Sequence, residues 1–184
     1  MTRPPLRIDT CSLVVVDVQG KLARLMHEKE TLFKNVCILI KAAKTLDIPI
    51  TWCQQVPEAL GGTIDEVAEL LSDLQPINKA SFSCCGDEKF NAAVNALDRR
   101  QIILCGIETH VCIYQTAADL VRKGYQVFTI ADAVSSRTFE NKHIAMGRMA
   151  AEDVTIASTE MALFELMKTA EHDRFRKIAR LIKK

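Results

Sequence analysis

The period of the apolar positions changes repeatedly along the chain, and each change marks a new element. Leu13-Val14-Val15-Val16 is a continuous apolar run, the pattern of a central parallel strand buried on both faces. In 31–46 the apolar residues Leu32, Val36, Leu39, Ile40, Ala43 and Leu46 fall on one helical face. Asp47-Ile48-Pro49 breaks that helix, and 50–54 forms a second strand. The stretch 54–63, QQVPEALGGT, is too long for a plain connection and is expected to cover the sheet edge. A short helix at 64–72, a brief strand at 76–79 and a helix at 88–97 follow.

The densest pattern lies in 101–124, QIILCGIETHVCIYQTAADLVRKG. Ile102-Ile103-Leu104 reads as a buried strand, and from Val111 the spacing turns helical through Tyr114, Ala118 and Val121 until Gly124. Thr109 is the expected N-cap, which sets Cys112 in the first turn, where orphan N–H groups favour a thiolate. The alternative for Cys112 is a small buried packing residue. Beyond it come a strand at 126–130 closed by Asp132, a loop with Ser135, Ser136 and Arg137, and a helix at 141–152. A last strand at 154–157 and a helix at 161–168 capped by Ser158 or Thr159 complete the alternation. The end of the chain, 171–184, is a basic amphipathic helix, expected to pack on its own domain or a neighbouring subunit rather than a membrane.

Alternating strands and helices predict a three-layer α/β/α sandwich around a mainly parallel sheet, with 1–184 as one domain. Net charge is only +1 among 24 basic and 23 acidic residues, so no nucleic-acid footprint is expected. The N-terminal residues carry no signal-like apolar stretch, and no apolar run approaches a membrane span. With an odd count of seven cysteines, reduced thiols in a cytoplasmic protein are expected rather than a disulfide framework. Vicinal Cys84-Cys85 lacks C-x-x-C spacing, which weakens redox or zinc readings.

Three ionisable residues end strands or open the turns that follow them: Asp17, Lys79 and Cys112. At one sheet edge they would form a coherent set, in which an ammonium and a helix N-terminus lower the thiol pKa and a carboxylate takes its proton. The segments VVVDVQ, INKASFS and GIETHVCIYQTAADLVRKGYQV also resemble the isochorismatase-like cysteine hydrolases, over about residues 12–164. That resemblance implies an α/β/α fold with Cys112 as nucleophile, Asp17 as general acid/base and Lys79 as the thiolate-stabilising residue. It further implies a cis peptide between Ile107 and Glu108, which sets the Glu108 and Cys112 N–H groups side by side as an oxyanion hole. The implied reaction is hydrolysis of an amide-type C–N bond of a small molecule through a thioester, in a protein that assembles as a homo-oligomer.

The metal-binding Asp-x-His motif of nicotinamidases has no counterpart at Thr51-Trp52-Cys53-Gln54, and no histidine lies between His27 and His110. No metal or cofactor is therefore expected. QQVPEALGGTIDEV instead resembles the isochorismatase-domain and YcaC-like branch. Two alternatives stand beside amide hydrolysis: vinyl-ether hydrolysis with Asp17 as general acid, and a non-catalytic oligomeric scaffold. Gln54 and Phe82 are further pocket candidates, each beside a strand end. His110 is expected to hold its turn by hydrogen bonding, and Arg137 to bind an anionic group or pair with Asp132.

Overall fold

The computed structural model describes residues 4–183; positions 1–3 and 184, at the ends of the expected domain and of the expected 171–184 helix, lie outside them. Six strands form one sheet: β1 (Cys11–Val16), β2 (Ile50–Gln55), β3 (Ile77–Lys79), β4 (Gln101–Ile107), β5 (Gln126–Ser135) and β6 (Thr155–Ala157). Their order is β3-β2-β1-β4-β5-β6, and every neighbouring pair is parallel. Between and after them lie α1 (Gly20–Arg24), α2 (Lys29–Thr45), α3 (Pro57–Leu60), α4 (Asp65–Ala68), α5 (Glu88–Ala96), α6 (Tyr114–Arg122), α7 (Phe139–Ala151), α8 (Thr159–Met167) and α9 (Phe175–Ile182). The three-layer α/β/α sandwich expected from the alternation is the observed architecture.

Strand parity divides the core in two. Leu13, Val15, Ile103, Cys105 and Phe128 pack with residues of α2, α8 and α9 on one face. Val14, Val16, Ile102, Leu104 and Val127 pack with residues of α5, α6 and α7 on the other. Both parities of β1 are therefore buried, which is why its sequence shows no polar alternation. Each such aliphatic side chain contributes roughly 1.5–3 kcal/mol by leaving water. The apolar stripe of α9 closes on its own subunit: Ile178 is buried, and Phe175, Leu181 and Ile182 lie half-covered against the α2 side. No helix among the described residues is long and apolar enough to cross a membrane.

Two local expectations differ from what forms. β5 does not end before Asp132 but runs to Ser135, with a register slip against β4: Leu104 faces Thr129 and Gly106 faces Val134. Asp132 reads as a strand stop because its carboxylate turns away to accept from both the N–H and the hydroxyl of Thr159, each at 2.8 Å. Thr109 does not cap α6 with its side chain. A π-helical turn, Thr109–Ile113, comes first, and the Val111 and Ile113 N–H groups both donate to the Glu108 carbonyl, at 3.0 and 3.2 Å. With those donors taken by main chain, the Thr109 hydroxyl is buried without a partner.

The strand order sets where a site can form. From β1 the chain builds outward through β2 to β3, then crosses back to lay β4 on the other side of β1. Connections leave β1 and β4 in opposite directions, and a crevice opens at their carboxyl ends. Gly106 lets the two strands come this close, since its φ is +120° and a Cβ there would lie 2.0 Å from the Val16 carbonyl oxygen.

Candidate active site

Asp17 leaves β1 in the left-handed region, with φ at 54°. Its N–H donates to the Cys53 carbonyl at 3.1 Å, and its own carbonyl accepts from the Gln19 N–H at 2.8 Å. These bonds hold a conformation that aspartate tolerates better than most residues. The side chain is buried and meets Lys79, the last residue of β3, whose Nζ donates to Asp17 Oδ2 at 2.7 Å. β3 lies two strands from β1, roughly 10 Å away, and the long lysine stem crosses that gap beneath β2. The same ammonium donates to Gln55 Oε1 at 2.6 Å and reaches the Ser81 and Phe82 carbonyls at 3.2 and 3.3 Å. Its side chain has no exposed surface.

Cys112 sits in the π-helical turn after β4 and lines the same cavity as Asp17, whose Oδ1 is buried without a hydrogen-bond partner. The three expected residues therefore converge, but their electrostatics differ from expectation. Burial, followed by the Asp17 charge, pushes the Cys112 thiol well above its ordinary range, and Lys79 only partly offsets this. Lys79 offsets so little because its ammonium is committed to Asp17 at 2.7 Å. Burial also raises the Asp17 carboxyl against the pull of Lys79. For Lys79 burial acts downward, yet the Asp17 carboxylate carries the net shift upward. Burial at this position therefore works against a preformed thiolate on Cys112.

A cavity of about 110 Å³ opens onto this group, lined in part by Asp17, Gln55, Glu108 and Cys112. The Ile107–Glu108 peptide is cis. Glu108 turns its carboxylate to Arg137, accepting from that residue's N–H and Nε, both at 3.1 Å. Arg137 thus pairs with Glu108; Asp132, one of the two alternatives expected for it, is occupied by Thr159. His110 Nδ1 lies 3.0 Å from the Ser136 hydroxyl, tying its turn to the loop after β5 as expected.

The isochorismatase-domain family model matches residues 11–161. The chain belongs to the isochorismatase family of hydrolases. Secreted isochorismatase effector Isc1 of Phytophthora sojae strain P6497 is 36% identical over 175 residues, or 93% of this chain and 83% of the relative. The solved structure of MAR1 ribonuclease from Caenorhabditis elegans superposes with a TM-score of 0.92 at 30% identity, covering 98% of this chain and 93% of that one. Escherichia coli YcaC, described as an octameric hydrolase of unknown specificity, superposes with the same TM-score of 0.92 at 24% identity, over 98% of this chain and 91% of its own. At that identity YcaC supports the fold alone.

Against the family background, the pocket candidates separate by strand parity. Phe82 lines the cavity with its ring largely exposed. Gln54 does not line it: its Nε2 donates to Thr63 Oγ1 at 2.9 Å, on the same side as Trp52 Nε1, which donates to the same hydroxyl. Gln55, one residue on, points the other way, lines the cavity and holds Lys79. The β2–β3 register pairs Gln55 with Lys79, so parity counted from Trp52 would have selected it. Gln19 was also missed. Its Oε1 accepts from the Gln55 N–H at 2.6 Å, and its Nε2 donates to the Gln55 and Gly61 carbonyls at 3.1 and 2.7 Å. Among the described residues no three His, Cys, Asp or Glu side chains gather as metal ligands. Cys84 is a packing residue whose N–H donates to Thr116 Oγ1 at 2.9 Å, and burial pushes the Cys85 thiol up to about 12.

Proposed function

We propose that this protein is a metal-independent cysteine hydrolase that cleaves an amide-type C–N bond of a small molecule through a thioester on Cys112. The observation that carries the reading is the buried Asp17 carboxylate, paired through Oδ2 with the Lys79 ammonium, on the wall of the cavity that the Cys112 thiol also lines. Lys79 keeps Asp17 ionised in a low-dielectric site, and Asp17 accepts the thiol proton as sulfur attacks the substrate carbonyl. Proton transfer and attack are coupled, because a free thiolate is disfavoured there. The oxyanion is received by the Glu108 and Cys112 N–H groups, each such donor typically contributing about 3–4 kcal/mol in the transition state. The C–N bond breaks as Asp17 returns the proton to nitrogen, and ammonia or amine departs. Water, deprotonated by Asp17, then attacks the thioester; the C–S bond breaks and the thiol re-forms on Cys112.

Removing the nucleophile tests this reading. Cys112→Ala should lose at least 10³-fold in ammonia release from any amide the parent turns over, and quenched parent should carry an acyl adduct on the Cys112 peptide by mass spectrometry. Full activity in Cys112→Ala would sink it. Ether hydrolysis is the second reading, favoured by the raised Asp17 carboxyl, since a general acid works best with a pKa lifted toward neutrality. It requires Asp17 and not Cys112, so the same variant separates the two. A homo-oligomer is also proposed, supported by the exposed Phe139, Ile144 and Met161.

A further inference from the structure

Every charge that faces the cavity is already matched by another of the protein's own. Asp17 is paired with Lys79 through Oδ2, leaving only its Oδ1 without a hydrogen bond, and Glu108 is paired with Arg137. The one neutral polar side chain on the wall is equally committed: Gln55 Oε1 accepts from Lys79 and its Nε2 donates to the Ala80 carbonyl at 2.7 Å. What remains toward the space is apolar, from Leu22, Leu60, Phe82, Ile107 and Val111, around the thiol. A carboxylate or ammonium on the substrate would enter without a counter-charge, and burying an unmatched ion is strongly unfavourable.

The cavity is also small, about 110 Å³. The rim that carries Leu60 is tied to the segment after β1 by contacts to its main chain. Gly20, at φ +43°, lies so close that a Cβ on it would stand 2.2 Å from the Leu60 carbonyl oxygen. The Gly20 N–H donates to the Gly62 carbonyl at 3.0 Å, and Gln19 Nε2 holds the Gly61 carbonyl at 2.7 Å.

We infer that the substrate class of this site is a short, uncharged aliphatic carboxamide, selected by an apolar wall on which all charges are internally paired. This rests on the hydrolase reading above and names its substrate chemistry. Hydrolysis consumes the amide and one water and yields a carboxylate and ammonium. The new carboxylate then stands beside Asp17 with no unmatched cation to retain it, so the product is driven out by the same arrangement that admits the substrate.

Two probes of nearly equal size decide the charge rule without knowledge of the substrate. Iodoacetamide and iodoacetate differ by one charge and alkylate the same sulfur. The ratio of their rates at Cys112, read by peptide mapping of the intact protein, is expected to exceed the ratio at free glutathione by at least tenfold. A cation placed on the rim by Leu60→Arg should bring that ratio back toward the glutathione value. An equal or lower ratio in the parent, or no labelling of Cys112 by the neutral reagent, overturns the inference. Turnover supplies the second arm, with butyramide against succinamate, the same amide carrying a carboxylate. Butyramide alone releasing ammonia supports the inference. Cys112-dependent release from succinamate overturns it while leaving the hydrolase reading intact. Failure of Cys112→Ala to abolish release removes the hydrolase reading, and the alkylation ratio still decides whether the cavity rejects anions.

Discussion

The Lys79 ammonium has its donors engaged by Asp17, Gln55 and two carbonyls, which leaves none for a thiolate. Its proposed role is to keep a buried carboxylate charged, and the pairing itself makes single substitutions costly. Asp17→Asn leaves Lys79 as an unmatched buried cation, and removing one partner of such a pair costs about 3–5 kcal/mol. Adding Lys79→Met, which fills the same channel without charge, should return most of that stability, with neither variant turning substrate over. Urea melts of the two read the difference. The raised Asp17 carboxyl also fixes the sign of the pH profile. A carboxyl with a raised pKa is protonated earlier as pH falls, so kcat/KM should drop on an acid limb centred above the ordinary aspartate value. Because burial pushes the Cys112 thiol above its ordinary range, no thiol ionisation should appear near pH 7. A stopped pH–rate series from 4 to 9 checks both, and a midpoint at the ordinary aspartate value would count against Asp17 as the base.

Among the elements, the short rim segment is fixed by main chain and by one glycine. Gly20→Ala forces a Cβ into the Leu60 carbonyl at a left-handed position, a strain on the order of 1–3 kcal/mol. The displaced α3 should raise KM more than it lowers kcat, measurable by steady-state kinetics with a matched thermal melt. Such contacts explain what could and could not be read from sequence. Leu13 to Val16 announced a two-faced strand because burial on both sides leaves no polar positions. Asp17, Lys79 and Cys112 were legible because strand ends in a parallel sheet share one edge. Gln55 was not, because a glutamine pair differs only by strand parity, and parity is fixed by the Trp52–Thr63 contact across a loop. Nor was the thiol's upward shift, since the helix-end effect and Lys79 are local signals whereas burial is a property of the assembled layers. Gln19 lay outside any chemical pattern; only the closeness of Gln55 and Gly61 gives its amide a task.

At the scale of the whole molecule, the layer of α2 and α9 is stability and the carboxyl edge is chemistry. Ile178→Ala should cost about 2–5 kcal/mol, because a fully covered side chain is removed from the α2 side. It should leave kcat at 25 °C unchanged, which calorimetry beside an activity assay would establish; a large fall in kcat would tie α9 to the site. The strand order has a consequence during synthesis. β1 pairs with β2 across a short stretch of chain, but its other neighbour begins at Gln101, opposite Cys11. At about 5–20 residues per second, the nascent chain carries β1 with one open edge for about 3–10 seconds after β2 has emerged. Asp17 and Lys79 leave the ribosome before Cys112 does, so their ion pair can form before the proposed nucleophile has been made.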